Sequence, residues 1–121
     1  MSKIHEWALA IKEYEGWKPG SRSFRNCNPG NLRYYKQIGS TGKDRNGFAI
    51  FPSYEVGINA LMRQLVIAAN GTSKAYRSTM TLIDFFRVYA PSSDNNEPDR
   101  YAQFVANKLQ VDPNIQIKNL L

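Results

Sequence analysis

Residues 31–51, NLRYYKQIGSTGKDRNGFAIF, decide the fold class of this chain. Two short apolar stretches, Asn31–Tyr35 and Gly47–Phe51, stand at its ends, and both are rich in the aromatic and aliphatic residues that favour strands. The stretch between them, Gly39–Asn46, consists of residues that favour turns. The pattern therefore predicts one β-hairpin or small antiparallel sheet, which we expect to be the only sheet.

Helical spacing dominates on both sides of this segment. Before it, Ser2 can cap a helix that ends at Glu15-Gly16, and Gly16–Gly30 is expected to be a loop that Trp17 and Phe24 anchor to the domain. After it, three helices are expected. The first starts at Ser53 and ends at Asn70-Gly71, and the second is capped by Thr81 and stopped by Pro91. The third begins at Pro98, and a short last helix is expected at Asp112-Pro113. The buried faces are predicted to include Ile4, Trp7, Ala8, Ile11, Tyr14, Val56, Leu61, Leu65, Leu82, Phe85, Phe86, Tyr101, Phe104, Val105 and Leu109. The fold class is therefore mainly α (α+β), with the hairpin inserted after the first helix.

Length and composition indicate a single globular domain over residues 1–121, with a monomer as the default. No apolar stretch approaches the roughly 20 residues that span a bilayer. The N-terminus lacks the profile of a secretory signal, so we expect synthesis in the cytoplasm. A net charge of +6 favours a polyanionic partner, either nucleic acid or the anionic cell wall. Because the basic residues are dispersed and form no compact block, an ordinary solvated basic surface is the alternative.

Cysteine and histidine are too rare for most metal and redox chemistry. Cys27 and His5 are the only residues of their types, so an intrachain disulfide, a cysteine-ligated zinc site and a histidine-ligated metal are not expected. A Cys–His catalytic pair is open in principle, but no papain-like signature accompanies it. We expect no cofactor and a buried Cys27.

Glu15 differs from the other carboxylates of the chain. It stands in the last turn of its helix, where the helix dipole disfavours a negative charge, and Gly16 and Trp17 follow it. An indole and a negative helix end should favour the protonated carboxyl. A glycosidase acid needs that property, because it donates a proton to the leaving oxygen. The alternative is an ordinary surface carboxylate.

A second unusual segment, Arg25–Arg33, places three asparagines around a Pro-Gly turn. Such residues form Asx turns and offer both hydrogen-bond donors and acceptors. The segment is either a well-bonded turn leading into a strand or the edge of a groove that binds the amide and hydroxyl groups of a sugar.

Glu15-Gly16-Trp17, then Asn28–Arg33, then Gly47–Glu55, and finally Tyr89-Ala90-Pro91 with Tyr101 form an ordered series over about residues 4 to 111. The series resembles small phage-type and bacterial members of the lysozyme-like superfamily, akin to lytic transglycosylases and muramidases. The resemblance implies a helical domain with a small β-hairpin beside an active-site cleft. It also implies an enzyme that cleaves peptidoglycan glycan strands between N-acetylmuramic acid and N-acetylglucosamine.

The resemblance assigns roles to individual residues. Glu15 matches the glutamate that acts as general acid at the end of the first cleft helix. In the family, the hairpin strand lines the sugar groove, which implies that Asn28, Asn31, Arg33 and Tyr34 contact the substrate. A later tyrosine borders the same groove, and Tyr89 matches it.

The second carboxylate of better-known phage lysozymes is missing, because no Asp or Glu lies between Glu15 and Asp44. A lytic transglycosylase needs one carboxylate and no metal or cofactor, and this is the expected mechanism; Asp44 or Glu55 could still assist.

The alternatives are a hydrolytic muramidase, a non-catalytic virion or wall-binding protein of the same fold, and a nucleic-acid binder, for which no motif is found. Action on the wall would require a permeabilising partner or delivery with a virion, as for the lytic and antimicrobial enzymes of bacteriophages.

Overall fold

The structure, a computed structural model, describes residues 2–121. It is mainly helical with a small two-stranded antiparallel sheet, which confirms the α+β class. The α-helices are α1 (Ile4–Tyr14), α2 (Arg22–Arg25), α3 (Tyr54–Asn70), α4 (Leu82–Tyr89) and α5 (Pro98–Leu109), the strands are β1 (Gly42–Lys43) and β2 (Ala49–Ile50), and 3₁₀ turns lie at Ser92–Asp94 and Ile117–Leu120. Within residues 2–121 no helix combines the length and apolar character needed to cross a membrane.

The long helices begin and end where capping residues place them. The Ser2 hydroxyl accepts a hydrogen bond from the Ile4 N–H at the start of α1, and the Thr81 hydroxyl accepts one from the Asp84 N–H at the start of α4. Gly71, at a φ of +85°, follows the end of α3 in the left-handed conformation that glycine adopts most easily. The predicted bounds of α1, α3 and α4 and the predicted start of α5 are therefore confirmed.

The chain divides into two compact units. The hairpin unit is Ile11–Gln64, and the helical unit contains the residues up to Ala10 and from Leu65 onward. The helical unit has an aromatic core in which the Trp7 ring meets Phe85 edge-on at 4.8 Å and the Phe86 ring stacks on Tyr101 at 4.2 Å. Such pairs add about 0.5–1.5 kcal/mol each to the burial of their area.

The sheet of the hairpin unit is not formed by the first predicted strand. Gly42 pairs with Ile50 and Lys43 pairs with Ala49, so β1 lies in the segment expected to be a turn. The expectation of a strand at Asn31–Tyr35 is wrong, whereas β2 lies within the second predicted strand. Positive φ angles of 47° at Asn31 and 59° at Lys36 interrupt the extended backbone, so within Asn31–Tyr35 pairing is limited to an isolated bridge between Arg33 and Phe48.

Three further expectations need correction. The loop after α1 contains the short helix α2, which Ser21 caps by accepting a hydrogen bond from the Phe24 N–H. The residues at Asp112-Pro113 form a turn, held by the Asp112 carboxylate, and the last helical element is the 3₁₀ turn after it. Tyr14, Val56, Phe104 and Cys27 are half-buried instead of buried, because the first three lie at the margins of their helix faces and Cys27 keeps part of its surface exposed between two buried asparagines.

Candidate active site

The end of α1 holds Glu15 in a defined position. Gly16 has a φ of +78°, its N–H donates to the Glu13 carbonyl at 3.1 Å, and the Trp17 N–H donates to the Lys12 carbonyl at 3.4 Å. These two bonds form a Schellman motif, in which Glu15 is the C-cap residue and Gly16 supplies the left-handed turn. The half-buried Glu15 carboxyl therefore stands at the negative end of the α1 dipole, as expected from the sequence.

The asparagine-rich turn is fastened by the side chain of Asn28, which is fully buried. Its Oδ1 accepts from the Leu32 N–H at 2.9 Å, and its Nδ2 donates to the carbonyls of Leu32 and Ala49 at 3.0 and 2.9 Å. The Asn31 N–H donates to the Asn28 carbonyl at 3.0 Å. Asn28 therefore holds the turn against β2, as expected if this segment is a well-bonded turn.

Asn31 and Glu15 meet directly. The Asn31 Nδ2 donates to the Glu15 Oε1 at 2.8 Å, across 16 positions of sequence. This length lies within the normal range of an N–H···O hydrogen bond. Asn31 Oδ1 is buried and has no hydrogen-bond partner in the part of the chain that the structure describes. The structure thus brings together two of the predicted site residues.

The other predicted contacts occupy different places. Arg33 is exposed and donates from Nη1 to the Asn46 carbonyl at 3.0 Å. Tyr34 is half-buried, and its N–H donates to the Gly47 carbonyl at 3.0 Å. Tyr89 belongs to the helical unit, where its ring stacks on Phe85 at 5.3 Å.

A group of aromatic rings follows Glu15 in the hairpin unit. The Trp17 ring lies 5.1 Å from Phe24 and 5.2 Å from Tyr54. The Lys12 ammonium lies 4.6 Å from the Tyr54 ring centre and 5.5 Å from that of Trp17. Phe24 is 40% exposed, so one face of this group is open to solvent. The sequence identified Trp17 and Phe24 as loop anchors but gave no signal for Lys12 and Tyr54, which come from two different helices.

Two arginines share one ring beside the hairpin. The guanidinium carbons of Arg22 and Arg33 lie 4.1 and 4.3 Å from the centre of the Phe48 ring. Both arginines are exposed. Cation–π contacts at exposed sites contribute about 0.5–1 kcal/mol each and restrict the guanidinium groups, so the hairpin presents two positive charges in ordered positions.

Asp44 is committed to the hairpin turn. Its Oδ1 accepts from the N–H groups of Asn46 and Phe48 at 2.9 and 3.0 Å, and its Oδ2 accepts from Asn26 Nδ2 at 2.9 Å. Partial burial acts to raise the pKa of Asp44, but these hydrogen bonds and the nearby Arg22 charge outweigh it, so the pKa lies below its usual value. A carboxylate in this state is a structural acceptor. Glu55, the other possible second acid, is exposed in the first turn of α3.

The helical unit contains a separate open groove of about 700 Å³. Its lining includes Arg87, Ser93 and Asp99, but none of the predicted site residues. Arg87 and Asp99 are paired at 3.1 Å within it. Over residues 2–121, no three or more His, Cys, Asp or Glu side chains are grouped so that they could hold a metal ion.

No protein-family model, curated protein or solved structure matches this chain.

Proposed function

We propose that the chain is a lysozyme-like enzyme that cleaves peptidoglycan glycan strands by the lytic transglycosylase reaction, with Glu15 as the single acid and base. The observation that carries this proposal is the Glu15 carboxyl, fixed at the C-cap of α1 and held at 2.8 Å by Asn31. A half-buried carboxyl at a negative helix end, with a defined orientation, meets the requirements of a general acid.

A mechanism with one catalytic carboxylate is consistent with the positions of Asp44 and Glu55, the two other acids considered for the site. Two of the hydrogen bonds to the Asp44 carboxylate serve the hairpin turn and the third joins it to Asn26, and Glu55 interacts with the dipole of α3 from an exposed position. In the proposed reaction, Glu15 gives its proton to the glycosidic oxygen as the bond from that oxygen to C1 breaks. The resulting carboxylate then takes the proton of the sugar's own 6-hydroxyl, whose oxygen bonds to C1 and closes a 1,6-anhydro ring. Water is not consumed.

Charge and aromatic surface in the hairpin unit suit an anionic glycan. Nine basic against four acidic side chains give this unit a net charge of +5, whereas seven against six give the helical unit +1. Such a field raises the local concentration of a negatively charged polymer. The Trp17–Phe24 pair offers an apolar face against which a sugar ring can pack. Arg33 and Tyr34 remain proposed substrate contacts.

The test is mass spectrometry of the fragments released from purified peptidoglycan by the wild type, by Glu15→Gln and by the control Glu13→Gln. Glu13 lies on the same helix and is exposed. We expect fragments with anhydro ends from the wild type and the control, and a loss of roughly 10²- to 10⁴-fold in Glu15→Gln, the usual contribution of a general acid. Substantial activity in that variant would refute the assignment of Glu15.

The product ends separate this proposal from its alternatives. Reducing ends would make the enzyme a hydrolytic muramidase and require a second carboxylate, which Glu55→Gln would then test. Binding to the wall without any release would indicate a non-catalytic wall-binding or virion protein.

A further inference from the structure

The hydrogen bond between Asn31 and Glu15 distinguishes the two carboxyl oxygens of Glu15. Asn31 Nδ2 is only a donor, and it points at Oε1 from 2.8 Å. A proton on Oε1 would place the carboxyl O–H donor against the N–H donor of Asn31, which is unfavourable. Oε1 can therefore accept from Asn31 in both protonation states of Glu15, provided that the carboxyl proton is bound to Oε2.

The position of Asn31 is fixed before any substrate arrives. Its backbone is in the left-handed region with a φ of 47°, and Asn28 accepts hydrogen bonds from the N–H groups of both Asn31 and Leu32. Its Oδ1 is buried without a hydrogen-bond partner among the described residues. An unsatisfied buried acceptor costs about 1–3 kcal/mol, so the left-handed backbone explains why asparagine is tolerated here but not why its amide is turned toward Glu15.

We propose that Asn31 is a positioning residue: it holds Oε1 of Glu15 and thereby assigns the transferred proton to Oε2. This inference rests on the proposed function. It replaces the sugar contact that the resemblance assigned to Asn31, because the amide is directed at the carboxyl group. The same oxygen, Oε2, then donates the proton to the glycosidic oxygen and later takes one from the 6-hydroxyl, so the carboxyl group need not rotate between the two steps.

Two substitutions test this assignment without disturbing the backbone. Asn31→Gly removes the amide and accepts a positive φ, and Asn31→Asp keeps the shape but replaces the donor with a second carboxyl. Asn95 provides matched controls, Asn95→Gly and Asn95→Asp, because it is exposed in the helical unit and has a φ of 65°. Circular dichroism first establishes that each variant is folded.

The kinetic readout separates positioning from substrate binding. For Asn31→Gly, we expect kcat to fall about 10²-fold with KM changed less than about twofold, since a misplaced reacting group costs about that factor. The Asn95 variants should match the wild type. A raised KM with kcat retained would show that Asn31 contacts the sugar, and a wild-type rate would show that it has no role; either result overturns the proposal.

The second readout does not depend on activity. In Asn31→Asp the two carboxyl groups should share a proton, so the titration midpoint of the Glu15 carboxyl carbon, followed by NMR and assigned with Glu15→Gln, should rise by about one pH unit or more. The charged neighbours along the chain, Lys12, Glu13 and Arg33, are unchanged in every variant. An unmoved midpoint overturns the coupling of Asn31 to Glu15. A raised midpoint in a protein that releases no wall fragments supports the coupling and rejects the proposed function instead.

Discussion

The contact between α3 and the asparagine-rich turn makes Gly57→Ala a severe perturbation. In the interior of an ordinary helix this change stabilises a protein by about 0.5–1 kcal/mol. Here a Cβ on Gly57 would overlap the carbonyl oxygen of Cys27 by more than 1 Å relative to the 3.0 Å limit of real Cβ contacts, and it would also lie 3.0 Å from Pro29 Cδ. The clashing atom belongs to the backbone, so the overlap cannot be relieved by a change of side-chain rotamer.

The cost can be worked from this geometry. Overpacking of this kind costs about 1–3 kcal/mol and occasionally more. Because the overlap is with backbone, the upper end of this range applies; after the gain in helix propensity is subtracted, we expect Gly57→Ala to lower the free energy of unfolding by about 2 kcal/mol, or Tm by roughly 6–12 °C for a chain of this size. A shift of 1 Å in the turn would also lengthen the 2.8 Å bond from Asn31 to Glu15 past hydrogen-bond range, so activity should fall with stability.

Thermal and urea unfolding followed by circular dichroism measures this effect. The matched control is Asn59→Ala, which improves helix propensity on the exposed side of the same helix and should raise stability by a few tenths of a kcal/mol. A Gly57→Ala protein at least as stable as the wild type would refute the reasoning, since it would mean that α3 and the turn are not in close contact.

Two other predictions concern single turns. The pKa of Asp44 is lowered in the folded state, so its contribution to stability should be complete above the ordinary value of 3.8 and be lost as the pH falls through the lower folded value. Asp44→Ala should therefore lower Tm at pH 7 and flatten the acid limb of a plot of Tm against pH. An unchanged acid limb would contradict this. Gly16→Ala should lower the unfolding free energy by about 1–2 kcal/mol, because Gly16 has a φ of +78° and an added Cβ meets no other atom within 4 Å. Gly16→Asn should cost less than Gly16→Ala in urea unfolding, and the reverse order would show that steric contact, and not backbone conformation, sets the cost.

The sequence predicts the helices well because their signals are local. The capping serine and threonine, Gly71 after α3 and Pro98 at the start of α5 each act within a few residues, and the helices begin and end beside them. The first strand fails for the opposite reason. Asn31–Tyr35 has strand composition, but the left-handed backbone at Asn31 follows from the bonds of a buried Asn28, which no periodic pattern records.

The candidate site is predictable in its residue types and not in its contacts. Glu15 at a helix end and Asn31 in a polar turn are visible in the sequence, yet their 2.8 Å contact joins positions 16 residues apart. The sharing of Phe48 by Arg22 and Arg33 likewise depends on how α2 and the hairpin fold back. Asp44 was a possible second acid in the sequence, and only its three hydrogen-bond donors identify it as part of the turn.

The half-exposed Cys27 gives the protein a built-in reporter. It is the only thiol in the chain and lies in the turn whose backbone approaches Gly57. A thiol reagent therefore labels one site, and its rate follows the local opening of the segment that carries Asn31. Slower labelling in the presence of glycan fragments would register ligand binding in the hairpin unit without any assay of bond cleavage.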